Sequence, residues 1–179
     1  VNVVILVPLG LLTAGEVRLS LASAAAFVTA GISGSLFGRV FYFTSIARIG
    51  SSRTEPIKAT QPLHATAIAV LLLGEHVSPA HLVGIVLVVV GVAGVSLETS
   101  RAEPSHSRID SIRALLPGFA AAFFFGLEPI FAKIGFTSGA DSVVLALALR
   151  LSAAAVAFLA YLWARGLLPA PGDFRGPGL

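Results

Sequence analysis

Long apolar stretches alternate with short polar breaks along this chain, and their lengths predict membrane-spanning helices. About 20 apolar residues are needed to cross a hydrocarbon core of about 30 Å. Five stretches approach that length, over about 21–47, 51–73, 79–97, 114–136 and 141–164. Val1 to Leu12 is apolar but too short to cross alone, so we interpret it as part of a sixth span. The pattern predicts an all-α, polytopic transmembrane helix bundle.

Composition supports the bilayer as the solvent of this chain. Soluble domains carry about 25% charged residues, whereas this chain has 12% charged and 56% hydrophobic residues. Its mean hydropathy is +0.92. The absence of cysteine excludes disulfides and thiolate metal sites, and we expect neither a metal nor a cofactor. The twelve Lys and Arg residues are scattered, which argues against a nucleic-acid partner.

The hairpin from Pro62 to Leu97 carries short motifs in a defined order. A proline lies inside the first helix, Leu-Gly-Glu ends that helix, and spaced glycines follow in the second helix: Pro62, Leu73, Gly74, Glu75, Gly84 and Gly91. This order resembles the end of an EamA repeat, the unit of the drug/metabolite transporter superfamily. The later helices resemble the opening of another repeat, in Leu116, Pro117, Gly118, Gly126, Pro129, Lys133 and Arg150.

The resemblance implies a ten-helix fold built from two five-helix inverted repeats. We assign residues 1–98 to the C-terminal part of the first repeat, 99–113 to the inter-repeat linker, and 114–179 to the N-terminal part of the second. The chain contains no methionine, and we expect it to be a fragment of that fold. Basic loop residues favour one orientation and the family topology the other, so orientation stays open.

The resemblance further implies a secondary transporter, commonly an exporter, of small metabolites or drugs, and not an enzyme. Its expected partners are a small-molecule substrate and the lipid bilayer, and a homodimer stays open. The expected location is the plasma membrane, as a multi-pass integral protein.

Polar residues inside the predicted spans are the candidates for a substrate site, because charge within a membrane is costly and is functional by default. We expect one central cavity to be lined by Arg39, Tyr42, Lys58, Gln61 and Glu128. Arg39 is predicted to face the bundle interior and to share a helix face with Tyr42. As structural alternatives, Arg39 is an internal brace and Lys58 pairs only with Glu55.

Glu128 and Lys133 lie five residues apart and therefore on different faces of one helix, so each needs a partner on another helix. We consider Arg39 or Lys58 as partners of Glu128, or a role for Glu128 as a protonatable coupling site. His64 is predicted to be a packed, hydrogen-bonded imidazole. Glu75 is predicted to be a cap or loop brace.

An intramembrane protease is the alternative function. The stretch from Gly31 to Gly34, with Ser33, resembles the serine motif of rhomboid proteases, and His81 with Gly84 resembles their histidine motif. A Ser–His dyad requires contact between these two side chains and a nearby oxyanion donor. The second glycine expected after Gly84 is replaced by Val88, and the transporter resemblance covers far more of the chain. A non-transporting membrane subunit is a further alternative.

Overall fold

The computed structural model describes residues 19–102 and 112–166, with the side chains of all of these except 96–102 and 112. Within these ranges the chain is a bundle of helices, which confirms the all-α prediction. The helices are α1 (Leu21–Ile49), α2 (Ser51–Lys58), α3 (Gln61–Leu73), α4 (Pro79–Ala102), α5 (Leu116–Thr137) and α6 (Val143–Ala164).

Helix α5 is the centre of the bundle, and a face of small residues allows its neighbours to approach closely. Its buried positions are Pro117, Gly118, Ala121, Ala122, Gly126, Ile130 and Gly135. Helices α1 and α3 pack against α5, α6 packs against the first two thirds of α1, and α4 packs against α2. Helix α1 runs antiparallel to α5, because Ser20 Oγ donates to the Ser138 carbonyl oxygen at 2.7 Å at one end. A Cβ added to Gly118 would contact Ser45 Oγ at the other.

Three of the described helices are long and apolar enough to cross a membrane, namely α1, α5 and α6. They match three of the five predicted spans closely. The predicted span over 79–97 corresponds to a shorter apolar stretch, Pro79–Val95, within α4. Together these helices form the polytopic bundle that the hydropathy pattern predicts.

The predicted span over 51–73 is divided into α2 and α3 by a turn at Ala59 and Thr60. Pro62 lies in the first turn of α3, where a missing N–H costs little, rather than inside a continuous helix. Pro62 also has no N–H to donate to the carbonyl of Lys58, four residues earlier, so the hydrogen bond that would continue α2 into α3 cannot form. The hydropathy pattern did not reveal this break, because a proline is compatible with either a kink or a new helix start.

The α3–α4 hairpin has the predicted loop chemistry. Gly74 adopts the left-handed conformation with φ of 64° and ends α3. The Ser78 hydroxyl accepts from the backbone N–H of His81 at 3.2 Å and so caps the start of α4. Helix α4 continues to Ala102, beyond its expected end near Leu97, because the polar residues that follow are compatible with helical hydrogen bonding.

Three assignments made from the sequence fall wholly or partly outside the described residues. These are the partial span over 1–12, most of the linker over 99–113, and the end of the second unit after 166.

Candidate functional site

The middle of α1 is a π-helical segment, Gly31–Gly38, and it lies where α5 and α6 both pack against α1. Glycines 31, 34 and 38 face the neighbouring helices. A Cβ at Gly31 would overlap the Arg150 carbonyl oxygen, and one at Gly34 would overlap the Glu128 carboxylate. A Cβ at Gly38 would lie 2.9 Å from the Phe125 ring. Gly34 and Gly38 therefore allow α5 to pack closely against α1. Such π segments occur frequently at functional sites.

An ion pair bridges α5 and α6 beside these glycines. Glu128 Oε1 lies 2.8 Å from an Arg150 guanidinium nitrogen, and the two side chains are 21% and 26% exposed. The partner of Glu128 is therefore Arg150 rather than Arg39 or Lys58. Within the described part of the chain, Arg150 Nε is buried and has no hydrogen-bond partner. The pair thus retains one unused donor inside the bundle.

A second charged cluster joins α1 and α2. The Tyr42 hydroxyl donates a hydrogen bond to Glu55 Oε1. Lys58 Nζ lies 3.8 Å from Glu55 Oε2 and 4.6 Å from the centroid of the Tyr42 ring. The same ammonium lies 5.7 Å from the Phe125 ring centroid. Glu55 and Lys58 do pair, as the structural alternative predicted, but Tyr42 and Phe125 connect that pair to the interior of the bundle.

Gln61 joins this cluster through a backbone group that a proline leaves free. Proline has no N–H, so Pro129 cannot donate to the carbonyl of the residue four positions earlier, Phe125. Gln61 Nε2 donates to the Phe125 carbonyl oxygen at 3.3 Å and replaces the missing bond. Gly126 lets α3 approach α5 here, since a Cβ at Gly126 would meet the Ala65 backbone nitrogen at 3.1 Å.

We group these two clusters, which lie along the same face of α1, as the polar seam, and define it as Tyr42, Glu55, Lys58, Gln61, Glu128 and Arg150. Gly34, Gly38 and Tyr42 follow one another at one-turn intervals along α1, next to Glu128, Phe125 and Lys58 respectively. The seam has two carboxylates and two cations, so it is formally neutral. It places hydrogen-bond donors and charged groups among otherwise apolar helices.

Arg39 does not lie in the polar seam, contrary to the expectation that it faces the interior with Tyr42. Its side chain is exposed and lines a separate cavity between α1 and α6. Three residues along an α-helix correspond to about 300°, so Arg39 and Tyr42 point about 60° apart. That difference is enough to direct Tyr42 towards α2 and α5 and Arg39 towards α6.

Other charged and polar residues make contacts that connect or pack the helices and loops. Lys133 Nζ lies 2.7 Å from Glu75 Oε1, so Glu75 braces the loop after α3 as predicted. With Arg150 bound to Glu128, the prediction that both α5 charges have partners outside α5 is confirmed. His64 is packed as predicted, because its Nδ1 lies 3.0 Å from the Thr60 carbonyl oxygen.

The two residues of the protease alternative lie on α1 and α4. Ser33 is buried in the π segment, and its hydroxyl donates to the Ala30 carbonyl oxygen of the same helix at 3.2 Å. His81 is exposed in the first turn of α4 and lines a cavity of about 210 Å³ with Glu75 and His76.

The site predicted from the sequence did not include Glu55, Phe125 or Arg150. A signal for Arg150 was present: Glu128 and Arg150 have opposite charges and lie at similar distances on either side of the α5–α6 turn. Counting residues from that turn places them at a similar depth. No comparable signal identifies Phe125, because its role depends on its backbone carbonyl and on the direction of its ring.

Comparison with known protein families identifies the family of this chain. The model of the EamA-like transporter family matches residues 1–97, which is more than half of the chain. No curated protein and no solved structure matches the chain. Members of this family are membrane transporters, and the apolar helices of this chain fit a multi-pass integral membrane protein. The chain belongs to the EamA-like transporter family.

Proposed function

We propose that this protein exports a small metabolite or drug across the plasma membrane, as a secondary transporter and without enzymatic chemistry. The polar seam is the proposed substrate site, with Tyr42, Lys58, Gln61 and Glu128 from the sequence analysis and Arg150 added. A homodimer has no support from the family match and is not included.

The observation that carries this proposal is the Glu128–Arg150 ion pair inside the bundle. A buried ion pair contributes little to stability, because the cost of desolvating both charges offsets their attraction. Ionisable residues within spans commonly mark substrate and ion pathways. Arg150 Nε is buried without an acceptor, so the hydrogen-bonding groups of this ion pair are not fully satisfied within the bundle.

The π segment and the prolines support the same site. Irregular backbone at membrane depth is tolerated where it packs on protein or lines a cavity. Gly31–Gly38 and the Phe125 carbonyl freed by Pro129 both border the polar seam. In transporters, broken or irregular helices commonly form the substrate site near the middle of the bilayer.

Flux measurements with the full-length protein in liposomes test the proposal. Each compound of a metabolite panel is loaded into the vesicles, and its exchange with labelled external compound is followed. Glu128→Gln and Lys58→Met each remove one charge with little change in volume. We expect each to reduce flux at least about tenfold, which corresponds to about 1.4 kcal/mol of lost transition-state binding.

Ser33→Ala is the matched control. It removes a buried hydroxyl that donates within its own helix. We expect it to retain most of the flux. Absence of flux for every compound, with insertion intact, would contradict transport by this protein. Normal flux in Glu128→Gln and Lys58→Met would instead retain transport and reject the polar seam as its site.

A further inference from the structure

A cavity of about 250 Å³ lies between α1 and α6, separate from the polar seam. Among the described residues that line it, Arg39 alone is charged. The others are Ser35, Phe43, Leu151, Ala154, Ala155 and Phe158. Ala154 and Ala155 leave space along α6, and the rings of Phe43 and Phe158 are 62% and 39% exposed at the outer surface. We call this cavity the Arg39 groove.

Arg39 has no anionic partner in the part of the chain that the structure describes. Lys58, Lys133 and Arg150 each pair with a carboxylate there, whereas Arg39 does not. A guanidinium against apolar and aromatic side chains is costly unless an anion binds it. Its planar array of donors suits the oxygens of a phosphate. A bound anion would therefore supply the counter-charge that the described residues do not give Arg39.

The depth of Arg39 places the groove near the surface of the bilayer. Leu19 and Ala140 form an antiparallel bridge, so α1 and α6 start at the same end of the bundle. Arg39 lies about 27 Å from Leu21 along the axis, at about 1.5 Å per residue, which nearly spans a hydrocarbon core of about 30 Å. Beyond it on α6, the Arg165 guanidinium lies 5.7 Å from the Tyr161 ring centroid, and Trp163 is 73% exposed. Tyr and Trp at this level are typical of the membrane–water interface.

We propose that the Arg39 groove binds one anionic phospholipid, with the phosphate on Arg39 and an acyl chain directed towards the bilayer centre along Leu151 and Ala154. The exposure of Phe43 and Phe158 gives access from the side of the bundle, where a lipid arrives directly from the bilayer. An apolar groove below a single cation matches the two chemical parts of such a lipid. The site is distinct from the polar seam, so its test does not depend on transport.

Native mass spectrometry of the full-length protein in detergent tests this site. The protein is titrated with dioleoyl phosphatidylglycerol and, separately, with dioleoyl phosphatidylcholine of the same chain length. We expect one phosphatidylglycerol to be retained at least about tenfold more strongly than phosphatidylcholine, as charge-assisted bonds to Arg39 require. Arg39→Gln should abolish this preference.

Arg48→Gln is the matched control, because Arg48 is an exposed arginine of the same helix outside the groove. It should retain the preference. Ala155→Trp fills the groove and keeps the charge, so it should also prevent retention; circular dichroism checks that each variant is folded. Equal retention of both lipids, or full retention by folded Arg39→Gln, overturns the proposal. Displacement of the lipid by equimolar decanoate or inorganic phosphate overturns it as well, since the ligand would then be a soluble anion.

Discussion

Ion pairs in the described bundle differ chiefly in how strongly their two side chains are exposed to solvent. The Glu128–Arg150 pair is about one quarter exposed, whereas Lys133 and Glu75 are 50% and 35% exposed. Solvent screens the second pair more strongly than the first. Loss of one partner therefore has different consequences at the two sites, although Glu128 and Lys133 lie on the same helix.

Removal of Arg150 alone is expected to destabilise the protein more than removal of both partners. Arg150→Gln leaves Glu128 partly buried without its counter-charge, at a cost of about 1–3 kcal/mol, below the range for fully buried pairs. Adding Glu128→Gln should recover most of that loss. Equilibrium unfolding in mixed detergent micelles measures the two single variants and the double variant.

The Lys133–Glu75 pair supplies the control cycle. Its coupling free energy should be below about 1 kcal/mol, as for exposed pairs generally. A coupling at Glu128–Arg150 no larger than at Lys133–Glu75 would show that the partly buried pair has no special energetic role.

Among the helices, α1 and α4 both carry spaced glycines, yet these glycines have different surroundings. Those of the π segment in α1 meet α5 and α6. A Cβ added at Gly84, Gly91 or Gly94 in α4 would meet no atom within 4 Å among the described residues. The described contacts therefore show no close helix approach at these α4 glycines.

Gly34→Ala is expected to destabilise the bundle by about 1–3 kcal/mol, as overpacking of a filled interior does. The new Cβ would lie 2.6 Å from Glu128 Cδ and 2.8 Å from Glu128 Cβ, so the carboxylate must leave Arg150. Gly91→Ala should be neutral, or stabilising by up to about 1 kcal/mol through helix propensity. Thermal denaturation in detergent compares the two, and an equal response of both variants would contradict close packing at Gly34.

For the whole molecule, the order of helices around α5 determines which polar residues meet. Helix α1 runs antiparallel to α5 and parallel to α6, so its glycines face Glu128 and Arg150 together. Helix α3 then brings Gln61 to the Phe125 carbonyl from the other side. The polar seam therefore depends on the arrangement of three packed helices and on the short helix α2.

A disulfide between introduced cysteines tests this arrangement, since the native chain contains no cysteine. Leu19→Cys with Ala140→Cys should cross-link readily under mild oxidation, because directly opposed bridge residues have Cα atoms about 4.5–5.5 Å apart. Leu19→Cys with Ala164→Cys, at the far end of α6, should not. Gel mobility before and after reduction gives the result, and the reverse pattern would exclude a parallel arrangement of α1 and α6.

The sequence by itself determined the class of fold, the positions of α1, α5 and α6, the hairpin turn at Gly74 and the family resemblance. These features follow from local composition: apolar length sets a span, and glycine or proline ends it. The sequence also indicated that Glu128 and Lys133 need partners elsewhere, because charge inside a bundle must be compensated.

Only the tertiary structure decided which partners those are. The close approach of α6 to Gly31 brings Arg150 to Glu128. The angle of about 60° between positions 39 and 42 on α1 directs Arg39 and Tyr42 towards different helices. The carbonyl that Pro129 frees found Gln61 because Gly126 admits α3. Each of these contacts joins residues distant in sequence, and hydropathy carries no information about the angle at which two helices meet.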